Sequence, residues 1–235
     1  MSSPHHHHHY PANQTHHTDY VSANQAFFDQ HAHQAEHRPM ASELAESVRN
    51  AILNAYPFDK DATAILDYAC GTGIVSRGLA PHCKTLVGVD ISQGMVDEFN
   101  KGVQNHGLSA EQMRAVRTEL KGEDSELGGD KFDVVMCSLA YHHIEDITAV
   151  TRLLAFFLKP GGVLLVVDLP TMDITALPPG AAGMIPHKGG VSEDAIKAAF
   201  SGAGLQDFEL VLFKGPKTPM HTEDIFLAKG VKGAV

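Results

Sequence analysis

Apolar residues recur with two different spacings along this 235-residue chain. Apolar residues predict strands at 64–68, 85–89, 113–118, 132–137 and 163–169. The strands at 85–89 and 163–169 are nearly continuous apolar runs, as expected when both faces of a parallel sheet are buried. Between these runs the apolar positions follow helical spacing, at 73–79, 94–105, 147–158 and 192–203. Strands and helices that alternate in this order predict a doubly wound α/β domain with a mostly parallel sheet.

The two ends of the chain depart from this alternation. Two helical patterns, 24–35 and 41–56, precede the first strand, and two more apolar runs, 208–213 and 224–228, follow the last helix. Residues 1–19 are polar and contain five consecutive histidines, which fit either a native segment or an expression tag. We expect a disordered His-rich tail over 1–19, with no specific metal site, and one domain over 20–235.

A glycine-rich turn, Asp67-Tyr68-Ala69-Cys70-Gly71-Thr72-Gly73, connects the first predicted strand to the helix after it. A second acid, Asp90, ends the next strand, and Ser138 follows the fourth. Glycines let backbone N–H groups approach a ligand closely, and an acid one strand further on suits the two hydroxyls of a ribose. Because ligands bind beyond the carboxyl ends of parallel strands, these residues predict one nucleoside-cofactor site.

The same residues resemble the class I S-adenosylmethionine-dependent methyltransferases. The resemblance covers most of the chain from about residue 20 onward, and its matching segments are 67–73, 87–92, 132–143 and 158–164. Ala69 stands where the family pattern has its first glycine. The resemblance implies a Rossmann-like sheet of seven strands, mostly parallel with a terminal antiparallel strand, and an N-terminal helical lid.

The resemblance also implies roles for individual residues toward S-adenosylmethionine. Asp67 would help to hold its ammonium group, and Asp90 would accept hydrogen bonds from both ribose hydroxyls. The cofactor-binding residues implied in this way are Tyr20, Asp67, Gly71, Thr72, Gly73, Asp90, Ile91, Met95, Glu119, Leu120 and Ser138.

Several of these residues have a plainer explanation that the sequence leaves open. Asp90 precedes a predicted helix and fits an N-terminal cap as well. Glu119 fits the first solvated residue of a charged loop, and Met95 fits ordinary core packing. Either Tyr20 or Phe28 is suited to close over the cofactor, or Phe28 only anchors the lid.

The candidate catalytic residues, Tyr141, His142 and His143, follow the fourth strand. Methyl transfer is an in-line displacement, so the protein mainly aligns the reactants, and a base helps when the acceptor loses a proton. His143 is the first candidate for that base, although a structural or cofactor-shaping role fits it too. The apolar segment 169–190 is expected to roof the acceptor pocket with the lid, which suits a small, fairly apolar acceptor.

Two other functions remain as alternatives. A nicotinamide-dependent oxidoreductase is suggested because Asp90 follows Gly71 by 19 residues, but Ser76 replaces the third glycine and Asp67 would repel a pyrophosphate. A non-catalytic regulator that binds S-adenosylmethionine would keep the same cofactor residues. Release of S-adenosylhomocysteine separates a regulator from an enzyme.

The amino-acid composition limits the expected binding partners and the expected cellular compartment. The net charge of −10 and the pI near 5.8, without a basic stripe, argue against nucleic acid and against an anionic membrane surface. We expect no membrane span, because no apolar stretch approaches the roughly 20 residues required, and a cytoplasmic protein without a signal segment. Cys70, Cys83 and Cys137 are expected to be reduced. The reaction requires no metal, and the sequence leaves the oligomeric state unknown.

Overall fold

The structure is a computed structural model that describes residues 19–177, 181–218 and 224–234. The predicted tail therefore lies outside the described residues, apart from Asp19. The strands are β1 Ala64–Tyr68, β2 Thr85–Asp90, β3 Met113–Arg117, β4 Phe132–Ser138, β5 Leu158–Asp168, β6 Leu205–Lys214 and β7 Asp224–Lys232. The helices are α1 Tyr20–His31, α2 Ala41–Ala55, α3 Ile74–Leu79, α4 Gln93–Asn105, α5 Ile147–Phe156 and α6 Glu193–Gly202.

The seven strands form one sheet in the order β3-β2-β1-β4-β5-β7-β6. Strands β1 to β5 are parallel, and β7 is antiparallel to both β5 and β6. The strand order reverses beside β1, whose neighbours are β2 and β4. The predicted fold class is confirmed, and the reversal creates a crevice at the carboxyl ends of these three strands.

Apolar side chains are buried on both faces of the sheet, which explains why β2 and β5 are nearly continuous apolar runs. Leu66 and Leu164 belong to a buried cluster with α5 and α6, whereas Ile65 and Leu165 belong to a second cluster with α2 and α4. Alternate residues of each strand point to opposite faces, so two layers of helices are needed to bury them. Cys70, Cys83 and Cys137 are free thiols.

The boundaries of four elements differ clearly from the prediction. Helix α1 begins at Tyr20 because Asp19 accepts the backbone N–H of Ser22 and caps it. Strand β5 begins at Leu158, and the predicted break at 160–162 lies inside it, where the register against β4 shifts. Strands β6 and β7 are longer than predicted, because they pair with each other almost along their whole length.

No helix in the described ranges is long and apolar enough to cross a membrane.

Candidate active site

A cavity of about 950 Å³ lies at the carboxyl ends of β1, β2 and β4, with α1 on its other side. This volume is at the upper end of the range for small-molecule sites. The structure brings eleven of the predicted residues to its wall: Tyr20, Asp67, Gly71, Thr72, Asp90, Ile91, Met95, Glu119, Leu120, Ser138 and His143. Gly73, Tyr141 and His142 are not on the wall.

The glycine turn between β1 and α3 has a left-handed backbone at three positions. Ala69, Gly71 and Gly73 have φ angles of 56°, 53° and 76°. A Cβ atom at Gly73 would lie 2.5 Å from a ring carbon of Phe99, so glycine is required there by packing as well as by backbone conformation. Ala69 keeps the left-handed conformation with a methyl group present, at a cost of roughly 1–2 kcal/mol.

The carboxylate of Asp90 is fixed by the backbone around it. Its Oδ2 atom accepts the N–H of Gly71 and its Oδ1 atom accepts the N–H of Ser92, each at 2.9 Å. Burial raises the pKa of Asp90, and these backbone N–H groups oppose that shift. The N-terminal cap of α4 is Ser92, which accepts the N–H of Met95, so capping does not explain Asp90.

Asp67 is almost completely buried, and its two carboxyl oxygens differ. Oδ2 accepts the hydroxyl of Ser76, whereas Oδ1 has no hydrogen-bond partner among the described residues. Burial raises the pKa of Asp67 to about 7. The Oγ atom of Ser138 is also buried without a partner in the part of the chain that the structure describes.

The two unpartnered atoms, Asp67 Oδ1 and Ser138 Oγ, indicate whether the cavity can hold a cationic amino-acid group. A buried acceptor without a partner costs roughly 1–3 kcal/mol, which a bound donor would recover. Asp67 and Ser138 both line the cavity, on neighbouring strands β1 and β4. The ammonium group of S-adenosylmethionine supplies three donors and a positive charge, so it fits this pair of acceptors.

The part of the cavity wall next to β2 and β3 has an apolar surface and an exposed edge. Met95 and Leu120 are each 4% exposed, and with Ile91 they form an apolar surface suited to a flat ring. Glu119 is at the cavity edge, but its side chain is 56% exposed and its carboxylate lies 2.9 Å from Lys121 Nζ. The plainer explanation of Glu119 as a solvated loop residue therefore agrees with its environment.

The prediction that Tyr141 and His142 are catalytic is wrong, because both side chains are buried away from the cavity. The Tyr141 hydroxyl lies 3.1 Å from Thr151 Oγ1 in the core. The His142 Nδ1 atom lies 2.7 Å from Oδ1 of the buried Asp168. The short 3₁₀ helix Tyr141–His143 directs successive side chains differently, and only His143 reaches the cavity wall. His187 supports this turn from outside, with Nε2 2.9 Å from the Ile144 carbonyl oxygen.

His143 faces the cavity as a neutral imidazole. Burial lowers its pKa to about 3, and His142 contributes further. Its Nδ1 atom lies 3.4 Å from the Met184 carbonyl oxygen, which favours a proton on Nδ1 and leaves Nε2 as an acceptor. The ring of Phe28 approaches it edge-on at 5.3 Å.

Helix α1 is the predicted lid, and one polar residue on its cavity side was missed. Tyr20, Asn24 and Phe28 all line the cavity, because residues four apart share a helix face. Asn24 is a polar residue in the middle of that stripe, and this spacing was the signal that could have identified it. Its side-chain amide donates a hydrogen bond to the turn after β4, at the carbonyl oxygen of His143.

The segment 169–190 was expected to roof the acceptor pocket, and that expectation is wrong for its described residues. None of them lies on the cavity wall. Ala181, Met184 and Ile185 instead pack against Ala23 and Phe27 of α1. The segment therefore supports the lid from behind, and the lid itself covers the cavity.

No group of three or more His, Cys, Asp or Glu side chains within the described ranges is arranged to hold a metal ion.

Residues 65–162 match a family model described as a methyltransferase domain. An uncharacterized methyltransferase of Schizosaccharomyces pombe is 39% identical over 162 residues, which are 65% of this chain and 56% of that protein. A ubiquinone biosynthesis O-methyltransferase of Actinobacillus pleuropneumoniae is 28% identical over 100 residues, which are 43% of each protein. The chain thus spans about half the length of these curated relatives.

Solved structures share the fold at lower sequence identity. A magnesium protoporphyrin IX methyltransferase of Synechocystis PCC 6803, with bound S-adenosylhomocysteine, aligns with a TM-score of 0.68 and 18% identity over 92% of this chain and all of that one. A SAM-dependent methyltransferase of Aquifex aeolicus aligns with a TM-score of 0.65 and 15% identity over 86% of this chain and 97% of that one.

Proposed function

We propose, from the premise that this chain carries a class I S-adenosylmethionine-dependent methyltransferase domain, that it methylates a small, fairly apolar acceptor. One observation carries the proposal. The orphaned Asp67 Oδ1 and Ser138 Oγ, the fixed carboxylate of Asp90 and the glycine turn all belong to one cavity.

The proposed mechanism assigns binding to the sheet side of the cavity. When bound, S-adenosylmethionine supplies a methyl group on a positively charged sulfur. Asp67 holds the ammonium group by charge and hydrogen bonding, and Asp90 accepts the ribose hydroxyls with the lone pairs that its backbone contacts leave free. Met95, Ile91 and Leu120, which line the cavity, would pack against the adenine.

The lid side of the cavity would hold the acceptor and exclude water. Tyr20 or Phe28 would close over the cofactor from this side, and the neutral His143 would offer Nε2 to the acceptor's proton. The acceptor would lose its proton to His143 or to solvent, and bound S-adenosylmethionine would supply the methyl group and leave as S-adenosylhomocysteine. We propose that this step needs no metal.

Two further predictions from the sequence, the single domain and the small-molecule acceptor, belong to this proposal. Residues 20–235 would act as one domain, because β6 and β7 extend the sheet that holds the cavity. The apolar part of the wall and the net charge of −10 favour a small molecule over nucleic acid as the acceptor.

Calorimetric titration with S-adenosylhomocysteine tests the cofactor assignment. We expect Asp90→Ala to weaken its affinity about a hundredfold or more, because charged hydrogen bonds to two hydroxyls are lost, each worth roughly 1.5–3 kcal/mol. Asp97→Ala is the matched control, because Asp97 is an exposed acid on α4 that contacts only Gln93 in the described structure. Equal affinity in wild type and Asp90→Ala would defeat the assignment.

Product formation tests turnover separately from binding. Release of S-adenosylhomocysteine is measured from S-adenosylmethionine with a panel of phenols, quinols, thiols and amines. We expect release with at least one acceptor class. Tight cofactor binding without release from any class would favour the non-catalytic regulator, and preferential binding of NAD would favour the oxidoreductase.

A further inference from the structure

Asn24 is a buried polar residue in the cavity-facing stripe of the lid helix. It is only 6% exposed. Its Nδ2 atom donates to three backbone carbonyl oxygens, at 2.8 Å to Tyr20, 3.0 Å to Met184 and 3.3 Å to His143. The amide thus links α1 to the turn after β4 and to the segment behind the lid.

These three carbonyl groups determine how the side-chain amide is oriented. If the amide were flipped, Oδ1 would face three other acceptors and no donor, which is unfavourable. The nitrogen therefore faces the carbonyl groups, and Oδ1 occupies the other branch of the side chain. That oxygen is buried and has no hydrogen-bond partner in the described parts of the chain.

The position of Asn24 assigns its oxygen to the acceptor and not to the cofactor. The other two orphaned buried atoms, on Asp67 and Ser138, lie at the carboxyl ends of β1 and β4. Asn24 lies on the lid and donates to the backbone carbonyl oxygen of His143, the candidate base. The orphaned oxygen of Asn24 is therefore on the side of the cavity where the proposed mechanism places the acceptor.

We propose that Asn24 is a specificity-determining residue whose Oδ1 accepts a hydrogen bond from an O–H or N–H group of the acceptor. This inference rests on the proposed function and narrows its substrate class. Acceptors would carry a hydrogen-bond donor in addition to the group that is methylated. A purely apolar acceptor would leave the buried carbonyl oxygen unpaired and would be disfavoured.

Two aromatic probes of similar size measure this preference by binding alone. Resorcinol has two hydroxyl donors, and 3-methylphenol has one. Both are titrated by saturation-transfer NMR, with and without saturating S-adenosylhomocysteine. We expect wild type to bind resorcinol about fivefold more tightly than 3-methylphenol, as one additional net hydrogen bond predicts. Equal affinities in wild type would overturn the inference without any variant being needed.

Two variants test whether Asn24 causes the preference for resorcinol over 3-methylphenol. Asn24→Leu keeps the approximate volume and removes the acceptor, so the affinity ratio should fall to about 1. Asp29→Ala is the matched control, because Asp29 also attaches the lid, through Ser92 Oγ at 2.7 Å and the Gly94 N–H at 3.0 Å, but is not on the cavity wall. It should retain the wild-type ratio. An unchanged ratio in Asn24→Leu, or the same loss in Asp29→Ala, would contradict the inference.

A different result would contradict the proposed function. Absence of S-adenosylhomocysteine binding to wild type would contradict the methyltransferase assignment. The ratio for the two probes is still measured on the protein alone, so a failure of the methyltransferase assignment and a failure of the donor preference at Asn24 give different results.

Discussion

The two sides of the cavity are built differently. On the sheet side, Asp90 is held by two backbone N–H groups, and Asp67 is buried at the end of a central strand. On the lid side, α1 and the 3₁₀ helix that follows it, Ala32–His37, are attached mainly through side chains, such as the pairing of Asp29 with Ser92 and of Glu36 with Arg77. The proposed cofactor side is therefore held by backbone contacts, whereas the proposed acceptor side depends on a few polar side-chain contacts.

This difference has a physical reason. A site that binds one constant ligand gains affinity from rigid, pre-oriented groups, because less ordering occurs on binding. A site that must admit an acceptor and release a product needs an element that moves. The lid's apolar contact with the segment behind it is small, consisting of Ala181, Met184 and Ile185 with two residues of α1.

The largest expected effect tests the rigidity of the sheet side. Gly73→Ala should destabilise the protein by roughly 2–4 kcal/mol, because the new Cβ would meet Phe99 at 2.5 Å and the φ of 76° would be strained. Denaturant unfolding measures this. Gly107→Ala is the control, since Gly107 has a φ of 69° but nothing within 4 Å, and it should lose only roughly 1–2 kcal/mol. Equal losses would show that packing at the turn is not tight.

The second prediction separates chemistry from binding on the lid side. His143→Ala should lower kcat roughly a hundredfold, as loss of a general base does, and leave the affinity for S-adenosylhomocysteine nearly unchanged. Because the pKa of His143 is lowered to about 3, the wild-type rate should show no loss of this base between pH 8 and pH 5. Parallel losses of turnover and affinity would assign His143 a shaping role instead.

The smallest effect concerns the attachment of the lid. Glu36→Gln removes the charge that pairs with Arg77 Nη2 at 2.6 Å, and this pair is partly exposed. We expect a stability change below about 1 kcal/mol and up to about fivefold faster release of S-adenosylhomocysteine in stopped-flow measurements. Glu46→Gln, which breaks an exposed pair with Arg49 on α2, should leave the release rate unchanged. A rate unaffected by Glu36→Gln would mean that the lid does not limit release.

The contrast between the sheet side and the lid side of the cavity also explains which features the sequence could predict. The sheet side follows from local patterns: apolar runs give the strands, and Asp67, Gly71 and Asp90 lie at strand ends or in a short turn between them. Their convergence needs only the parallel order of the sheet. The resemblance to a known family supplies the proposed roles of these residues, and measurements of cofactor binding to their variants test those roles.

The lid side depends on contacts between distant parts of the chain. Asn24 bonds to backbone groups 119 and 160 residues away, which no local pattern indicates. Tyr141, His142 and His143 are adjacent in sequence, but tertiary packing sends only the last of them to the cavity. Side-chain direction in a short 3₁₀ turn is set by what surrounds it, so residue type and position after a strand were insufficient.

The most direct test of the central claim, that a buried carboxylate at the glycine turn binds a cationic amino-acid group, is the pH dependence of S-adenosylhomocysteine binding. The pKa of Asp67 is about 7 in the free protein because of burial, and a bound ammonium favours the carboxylate. Affinity should therefore weaken roughly tenfold from pH 8 to pH 6, with proton release on binding detected by calorimetry in two buffers. Asp67→Asn should remove this dependence. A dissociation constant that changes equally with pH in wild type and Asp67→Asn would contradict the account.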